Sequence, residues 1–234
     1  PAPPDDLAGR LAATRAASPR LHASLSGLDP AQLAAVLSDD PAALVRAQVG
    51  SGKTTVLVHK VLYLHLVRGV PLDELAVLTF TTRAADALRA RIQDLAERDV
   101  AADERWLMGT FHSVASALLR RALPVEQLGY RPDFTVLDED EHDALRLELI
   151  RRHGLRLRPR RRLRERLHAL AAGGDPGDDD LARLAILAGD ERRARNAMDF
   201  DDLIEHACTL LAVDGPRRPR WILVDELQDC EPRD

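Results

Sequence analysis

The chain has 234 residues, 45% hydrophobic and 30% charged, with only 3% aromatic and a net charge of −5. That composition describes a globular chain whose interior is filled by Ala, Leu and Val. It excludes wholesale disorder and a collagenous repeat, and no apolar run approaches the ~18 residues that a bilayer-spanning helix needs.

Residues 1–22, rich in Pro, Ala and Arg, predict a loosely held leader with one short helix. The leader has no apolar signal core, which implies a cytoplasmic address, and no initiator Met, which implies a processed or excised piece of something longer. Cys208 and Cys230 are too few for a disulfide framework, and no Cys/His cluster has the paired spacing of a zinc site. Ala43–Gln48 is short, apolar and followed by a Gly-rich turn, so it predicts a buried strand, with a helix over Thr54–Val67. Leu75–Thr79 predicts a second strand. Arg83–Leu95 places Ala84, Leu88, Ile92 and Leu95 at helical spacing. Strand character recurs at Trp106–Gly109, ahead of a helix over Val114–Leu123. The chain then reads as helical and Arg-rich to about Asn196, broken by a flexible acidic loop at Gly173–Asp180. Strand character returns at Trp221–Val224. Strand alternating with helix predicts an α/β fold with a parallel sheet flanked by helices, interrupted by an all-helical insertion. The expected boundaries are a leader over 1–22, a sheet core over 23–113 plus 199–234, and the insertion over 114–198.

Two segments carry chemistry. The first, Ala47-Gln-Val-Gly-Ser-Gly-Lys-Thr54, lies between a predicted strand and its helix. Gly50 and Gly52 let backbone N–H groups converge on anionic oxygens, Lys53 can reach outer phosphates, and Thr54 can offer its hydroxyl to Mg²⁺. The pattern departs from the phosphate-loop consensus only at Ala47, where a Gly is usual. The second, Trp221-Ile-Leu-Val-Asp-Glu-Leu-Gln-Asp229, is an apolar strand ending in adjacent acids. Asp225 fits a metal ligand and Glu226 a group that polarises attacking water.

The ordered set resembles the UvrD/Rep/PcrA-type superfamily 1 DNA helicases over most of residues 25–234. Leu28-Asp-Pro-Ala-Gln32-Leu-Ala-Ala-Val36 is similar to the family's Q motif, Leu78-Thr-Phe-Thr-Thr-Arg-Ala-Ala85 to motif Ia, and Gly109-Thr-Phe-His-Ser113 to motif Ib. Asp199-Phe-Asp-Asp-Leu203 resembles the segment that leads back into the core, and Val224-Asp-Glu-Leu-Gln-Asp229 resembles motif II. The resemblance implies a RecA-like core that binds ATP and Mg²⁺. Gln32 would read the adenine edge, Ala47, Gly50, Ser51, Gly52, Lys53, Thr54 and Thr55 would line the nucleotide, and Thr54 and Asp225 would hold the metal. Lys53, Glu226 and Gln228 would act in hydrolysis. Phe80, Thr81, Thr82, Arg83, Thr110, Phe111 and His112 would face single-stranded DNA, the aromatic rings by stacking bases. Phe111 reads equally as a core residue, and His112 as a packed one.

Thr82-Arg83 stands where the family commonly has Asn-Lys, and Thr55 where close relatives carry an Arg near the base. The family's motif III, second RecA-like domain and phosphoryl-stabilising Arg residues lie beyond Asp234. Without them hydrolysis falls by ~10³–10⁵ and the piece alone is not expected to unwind DNA.

Residues 151–168 hold nine Arg and one acid, a net charge of +8 that leaves −13 for the remainder. A helix from Asp138 to Gly154, acidic at its start and basic at its end, explains Arg151 and Arg152 locally. The Arg156–Arg166 group exceeds that need and suggests duplex or strand contact. The implied activity is ATP-driven 3′→5′ translocation and unwinding of DNA, with single strands and single/double-strand junctions as partners and no membrane. The alternatives are the motor part of a RecB- or AddA-like helicase–nuclease, and a fragment that binds nucleotide or DNA without turnover.

Overall fold

The computed structural model describes residues 4–48, 50–96, 106–157, 163–171, 179–213 and 218–229. These divide into two compact units, residues 1–118 with 217–234 and residues 119–216.

The first unit opens with helices α1 (Pro4–Ala17), α2 (Pro19–Leu25) and α3 (Pro30–Leu37). Ser18 caps α2 by accepting from the Leu21 amide, and Asp29 and Gln32 form a reciprocal capping box at the start of α3. The segment expected to be a loose leader is therefore corrected to two helices, and Leu21 and Leu25 are completely buried in the core. Its apolar positions were few but spaced to meet one face.

Helix α4 (Lys53–Leu62) runs on into a π-helical turn over Tyr63–Val67, filling the predicted span. Strand β1 (Leu75–Thr79), helix α5 (Thr82–Leu95), strand β2 (Leu107–Thr110) and helix α6 (Phe111–Arg121) follow as the sequence predicts, and β5 (Trp221–Val224) completes a parallel sheet in the order β2-β1-β5. Ala43–Gln48 is not part of it. Those residues form no regular structure and are all exposed, Leu44 by 66%. Three apolar residues in a row make a strand only where a neighbour takes their backbone groups, and here the carbonyls of Ala47 and Gln48 are used by Lys53.

Register fixes where the site stands. Thr79 of β1 lies beside Thr110 of β2, and Leu78 beside Val224 of β5. The residues that follow each strand therefore leave one carboxyl-terminal edge together, the edge at which open parallel sheets bind ligands. Beneath it, Val56, Val58, Val61 and Leu62 of α4 join Leu75 and Val77 of β1 and Leu88 and Ile92 of α5 in one core.

The second unit is built from α7 (Glu139–His153), α8 (Leu163–Ala171), α9 (Asp179–Arg195) and α10 (Phe200–Ala212). It is not wholly helical: β3 (Thr135–Val136) pairs in parallel with β4 (Ala197–Met198). Strands two residues long leave no alternation to read. The helix α7 begins in a capping box between Asp138 and Glu141 and stops at Gly154, whose φ of 63° is the left-handed conformation such a stop requires. The expected acidic loop falls mostly outside the described residues; Asp179 and Asp180 open α9. Leu145 and Leu149 of α7 and Leu181 and Leu184 of α9 belong to one core cluster of the unit.

Candidate functional site

The phosphate-loop residues turn sharply into α4. Gly50 and Gly52 have φ of 80° and 85°, values that a side chain resists. A Cβ on Gly52 would also lie 2.7 Å from Gln32 Nε2. Gln32 is held at both ends of its amide: Oε1 accepts from the Asp29 N–H at 3.2 Å, and Nε2 donates to the Ser51 carbonyl at 3.0 Å. The helix that the sequence reading assigns to adenine recognition is thus tied directly to the loop. The signal was in plain view, since Asp29-Pro-Ala-Gln32 has the capping-box spacing. Ser51 Oγ donates to the Gln48 carbonyl at 2.7 Å, which closes the turn.

Lys53 Nζ donates to the carbonyls of Ala47 at 3.2 Å and Gln48 at 3.4 Å, so its charge faces its own loop, and among the described residues no acid forms an ion pair with it. Thr54 and Thr55 are half-buried in the first turn of α4.

Asp225 extends the ladder past β5, its N–H donating to the Leu78 carbonyl at 3.0 Å. Burial raises its carboxyl pKa above the ordinary value and the neighbouring Glu226 raises it further, while the Glu226 amide and the charge of Lys53 pull it down. Lys53 and Asp225, 172 positions apart in the chain, are therefore close enough to act on each other. Glu226 has a φ of 53°, rare for a residue with a side chain and costing on the order of 1–3 kcal/mol, a strain that clusters at functional sites. Its Oε2 accepts from Gln228 Nε2 at 2.6 Å, so two of the three residues assigned to hydrolysis already touch.

On the same sheet edge, Phe80 follows β1 and is 37% exposed. Phe111 follows β2 and is 9% exposed, its ring centre 5.6 Å from that of Phe80 and tilted by 58°. Of the two readings open for Phe111, the buried ring packed against Phe80 favours the core one. Thr81 caps α5 by accepting from the Ala84 amide at 3.1 Å, with Thr82 and Arg83 exposed beside it. Thr110 accepts from the Ser113 amide at 3.3 Å, and its carbonyl accepts from Ser113 Oγ at 2.9 Å. A Cβ on Gly109 would lie 2.2 Å from that Oγ, so the glycine makes room for this turn. His112 is half-buried.

The donor set suits a magnesium nucleotide. Among the described residues no group of three or more His, Cys, Asp or Glu could hold a metal alone. A hydroxyl at Thr54 and a carboxylate at Asp225 suit an ion that keeps waters and takes further oxygens from phosphate.

Sequence reasoning missed a second cluster, in the helical unit. Arg192 donates to both Asp202 oxygens, at 2.6 and 2.9 Å, and lies 3.6 Å from Asp199. His142 bridges them, with Nδ1 3.0 Å from Asp199 and Nε2 3.1 Å from an Arg192 nitrogen. Burial and the charge of Arg146 lower the His142 pKa, so the ring is neutral, donating from Nδ1 and accepting at Nε2. Of the basic run, Arg156 donates its backbone N–H to Asp180 at 2.7 Å, and residues 158–162 lie outside the described residues. No described helix is long and apolar enough to cross a membrane.

Comparison with known proteins bears on the same residues. A family model described as the UvrD/REP helicase N-terminal domain matches residues 28–234. ATP-dependent DNA helicase UvrD1 of Mycobacterium tuberculosis is 36% identical over 228 residues, covering 88% of this chain and 29% of the relative. ATP-dependent DNA helicase PcrA of Bacillus subtilis is 37% identical over 114 residues, covering 49% of this chain and 15% of the relative. PcrA of Staphylococcus aureus is 29% identical over 232 residues, covering 89% and 30%. The chain therefore spans less than a third of the length of these relatives.

Proposed function

Since the chain belongs to the UvrD/REP helicase N-terminal domain family, we propose that it is the ATP-binding and ATP-hydrolysing portion of a DNA helicase. The observation that carries this is that the sheet brings the acid-bearing end of β5 to the edge served by α4: the Asp225 N–H donates to the Leu78 carbonyl of β1 at 3.0 Å, α4 packs on the same strand, and the charge of Lys53 acts on the Asp225 carboxyl. Lys53 exchanges its two carbonyl partners for the outer phosphates, whose oxygens also meet the backbone N–H groups of the loop over Gly50 and Gly52 and the start of α4. Gln32 stands beside the loop to read the adenine edge, and Thr55 lines the same side. Thr54 and Asp225 would hold Mg²⁺, which when bound would neutralise charge on the phosphate oxygens. Glu226 takes the proton of the attacking water, oriented by its bond from Gln228.

The same sheet edge presents single-stranded DNA with the half-exposed face of Phe80, supported by Phe111, and with the helix start at Thr81, Thr82 and Arg83. Thr110 and His112 flank it. A ring stacks any base, which suits a motor indifferent to sequence. The helical unit, residues 119–216, takes in α10 as well as most of the insertion expected over 114–198, and its Arg156 and Arg166 are suited to backbone contact at a single/double-strand junction. Translocation in the 3′→5′ direction and unwinding belong to a longer chain with a second RecA-like domain. The relatives matched are named as helicases, which favours this reading over a helicase–nuclease.

Steady-state ATPase in the longest native chain, with and without single-stranded DNA, tests the assignment. Lys53→Ala is expected to lower turnover by ~10²-fold or more, the scale on which a group that stabilises transition-state charge acts, and to leave DNA affinity in place. Unchanged turnover would remove the phosphate-loop assignment.

A further inference from the structure

Lys60 lies on α4 about two helical turns beyond Lys53, and the nucleotide reading does not use it. The residue is 8% exposed. Its ammonium donates to the Val36 carbonyl at 3.0 Å and to the Ser38 carbonyl, and lies 5.6 Å from the ring centre of Tyr63 and 5.4 Å from that of Trp221. Val36 and Ser38 are at the end of α3, the helix whose start carries Gln32. Trp221 opens β5, the strand that ends at Asp225. One buried cation thus holds the far ends of both elements against the helix that carries Lys53.

Stability alone does not call for a charge here. A buried cation loses hydration, and an apolar side chain of similar volume often serves as well or better. What the ammonium adds is direction, through charge-assisted bonds to two carbonyls and a preferred seat over two ring faces. We propose that Lys60 is a positioning residue for the nucleotide site: in its charged form it fixes α3 and β5 relative to α4, and so sets Gln32, Ser51 and Asp225 against Lys53. The proposal rests on the ATP reading above.

The surroundings favour a switchable charge. Burial pushes the Lys60 pKa down from 10.5 to about 8; Asp39 and Asp40 pull it up, while Arg68 and Arg10 push it down. Arg10, from α1, lies 2.8 Å from Asp39, and Arg68 also pairs with Asp39, so the neighbouring acid is already engaged by two arginines. From β5 comes the Trp221 ring. As pH rises through about 8 the amine loses its proton, the ring contacts lose their electrostatic attraction and the carbonyl bonds weaken. Two readouts then move in opposite directions. The folded chain releases this proton more readily than the unfolded one, so stability from this group rises between about 8 and 10.5. Nucleotide affinity falls over the same approach to alkaline pH. A lysine serving stability alone moves only the first.

The test is a titration of a fluorescent ATP analogue with Mg²⁺ into the full chain between about pH 7 and about pH 9, for wild type, Lys60→Arg and Lys60→Met. Loss of a cation–π contact and one charge-assisted bond predicts a wild-type affinity that drops about fivefold across that range. Lys60→Arg stays charged, keeps its carbonyl and ring partners, and holds its affinity throughout. Lys60→Met is already weakened at pH 7 and declines no further, with an unchanged or higher urea midpoint. Trp221 emission in wild type shows a step near pH 8 that Lys60→Arg lacks. The proposal is overturned if wild type binds with no alkaline decline, if Lys60→Arg declines in parallel with it, or if Lys60→Met binds as wild type does. Should Lys60→Met fail to fold, wild type against Lys60→Arg decides. A wild type that binds no nucleotide at pH 7 defeats the ATP reading itself, and the Lys60 proposal with it.

Discussion

In the sheet unit, Lys53 meets two backbone carbonyls and the Asp225 carboxylate meets the Glu226 amide at 3.1 Å. In the helical unit, Arg192 meets two carboxylates and an imidazole within 3.6 Å. Carbonyls and amides hold a charged side chain in place without neutralising it, so the first arrangement leaves charge for a ligand. The second satisfies charge internally and ties α7, α9 and α10 to one another. A strongly engaged ionic cluster is therefore a poor guide to the functional site here, and a weakly engaged lysine near a half-buried, pKa-raised carboxylate is a better one.

The contrast breaks most visibly at Arg192. Arg192→Ala leaves Asp199 and Asp202, both 7% exposed, without their cation, and should cost about 3–5 kcal/mol. The loss would be read as faster amide hydrogen exchange along α9 and α10. The paired change Arg192→Met with Asp202→Leu should recover much of it, because the penalty lies in the stranded charge. Next in size is the ~10²-fold or greater loss of turnover from Lys53→Ala, with little change in stability, since the residue removed satisfies no buried acid. If Lys53→Ala destabilises as Arg192→Ala does, the distinction between the two regions fails.

How far the sequence reached follows the same division. β1, β5 and α5 lie where periodicity places them, because each has apolar residues at a spacing that only one element satisfies. The capping box and Gly154 stop of α7 were readable for the same local reason. Ala43–Gln48 was not, since a strand depends on a partner that the residues themselves do not name. The phosphate-loop and acid-strand motifs were legible as motifs; their convergence depends on β5 returning beside β1, a pairing more than a hundred residues long in sequence. His142 and Arg192 gave no warning, being ordinary polar residues on two helices, and the motif that contains Asp199 and Asp202 did not name them as their partners. Lys60 was hidden in an apolar run, where a long side chain is easily taken for one that reaches solvent.

A smaller effect is expected at Phe80. Its ring is partly exposed and rests on Phe111, so Phe80→Ala should leave thermal stability nearly unchanged and weaken single-strand affinity by roughly 1–3 kcal/mol. Fluorescence anisotropy at fixed salt measures this. An affinity that does not move assigns the ring to packing and removes it from the proposed DNA-binding edge.

The smallest effect gives the sharpest comparison. Arg152 and Arg195 face Glu148 and Glu191 across α7 and α9 in a ring of ion pairs: Arg152 touches Glu148 and lies 3.1 Å from Glu191, and Arg195 lies 3.2 Å from Glu148 and 2.7 Å from Glu191. By number of contacts it rivals the Arg192 cluster. By exposure it does not, since the Arg152 and Arg195 side chains are 46% and 45% exposed against 13% for Arg192. Water screens each pair, and two long side chains must be ordered to form it. Arg152→Ala should therefore change stability by less than about 1 kcal/mol, and the difference should vanish as salt is raised toward 1 M, where the screening length falls to about 3 Å. Urea unfolding at low and high salt, run beside Arg192→Ala, measures both. A loss at Arg152 that matched the Arg192 loss and persisted in salt would mean that contact number, and not burial, sets the strength of ion pairs in this unit.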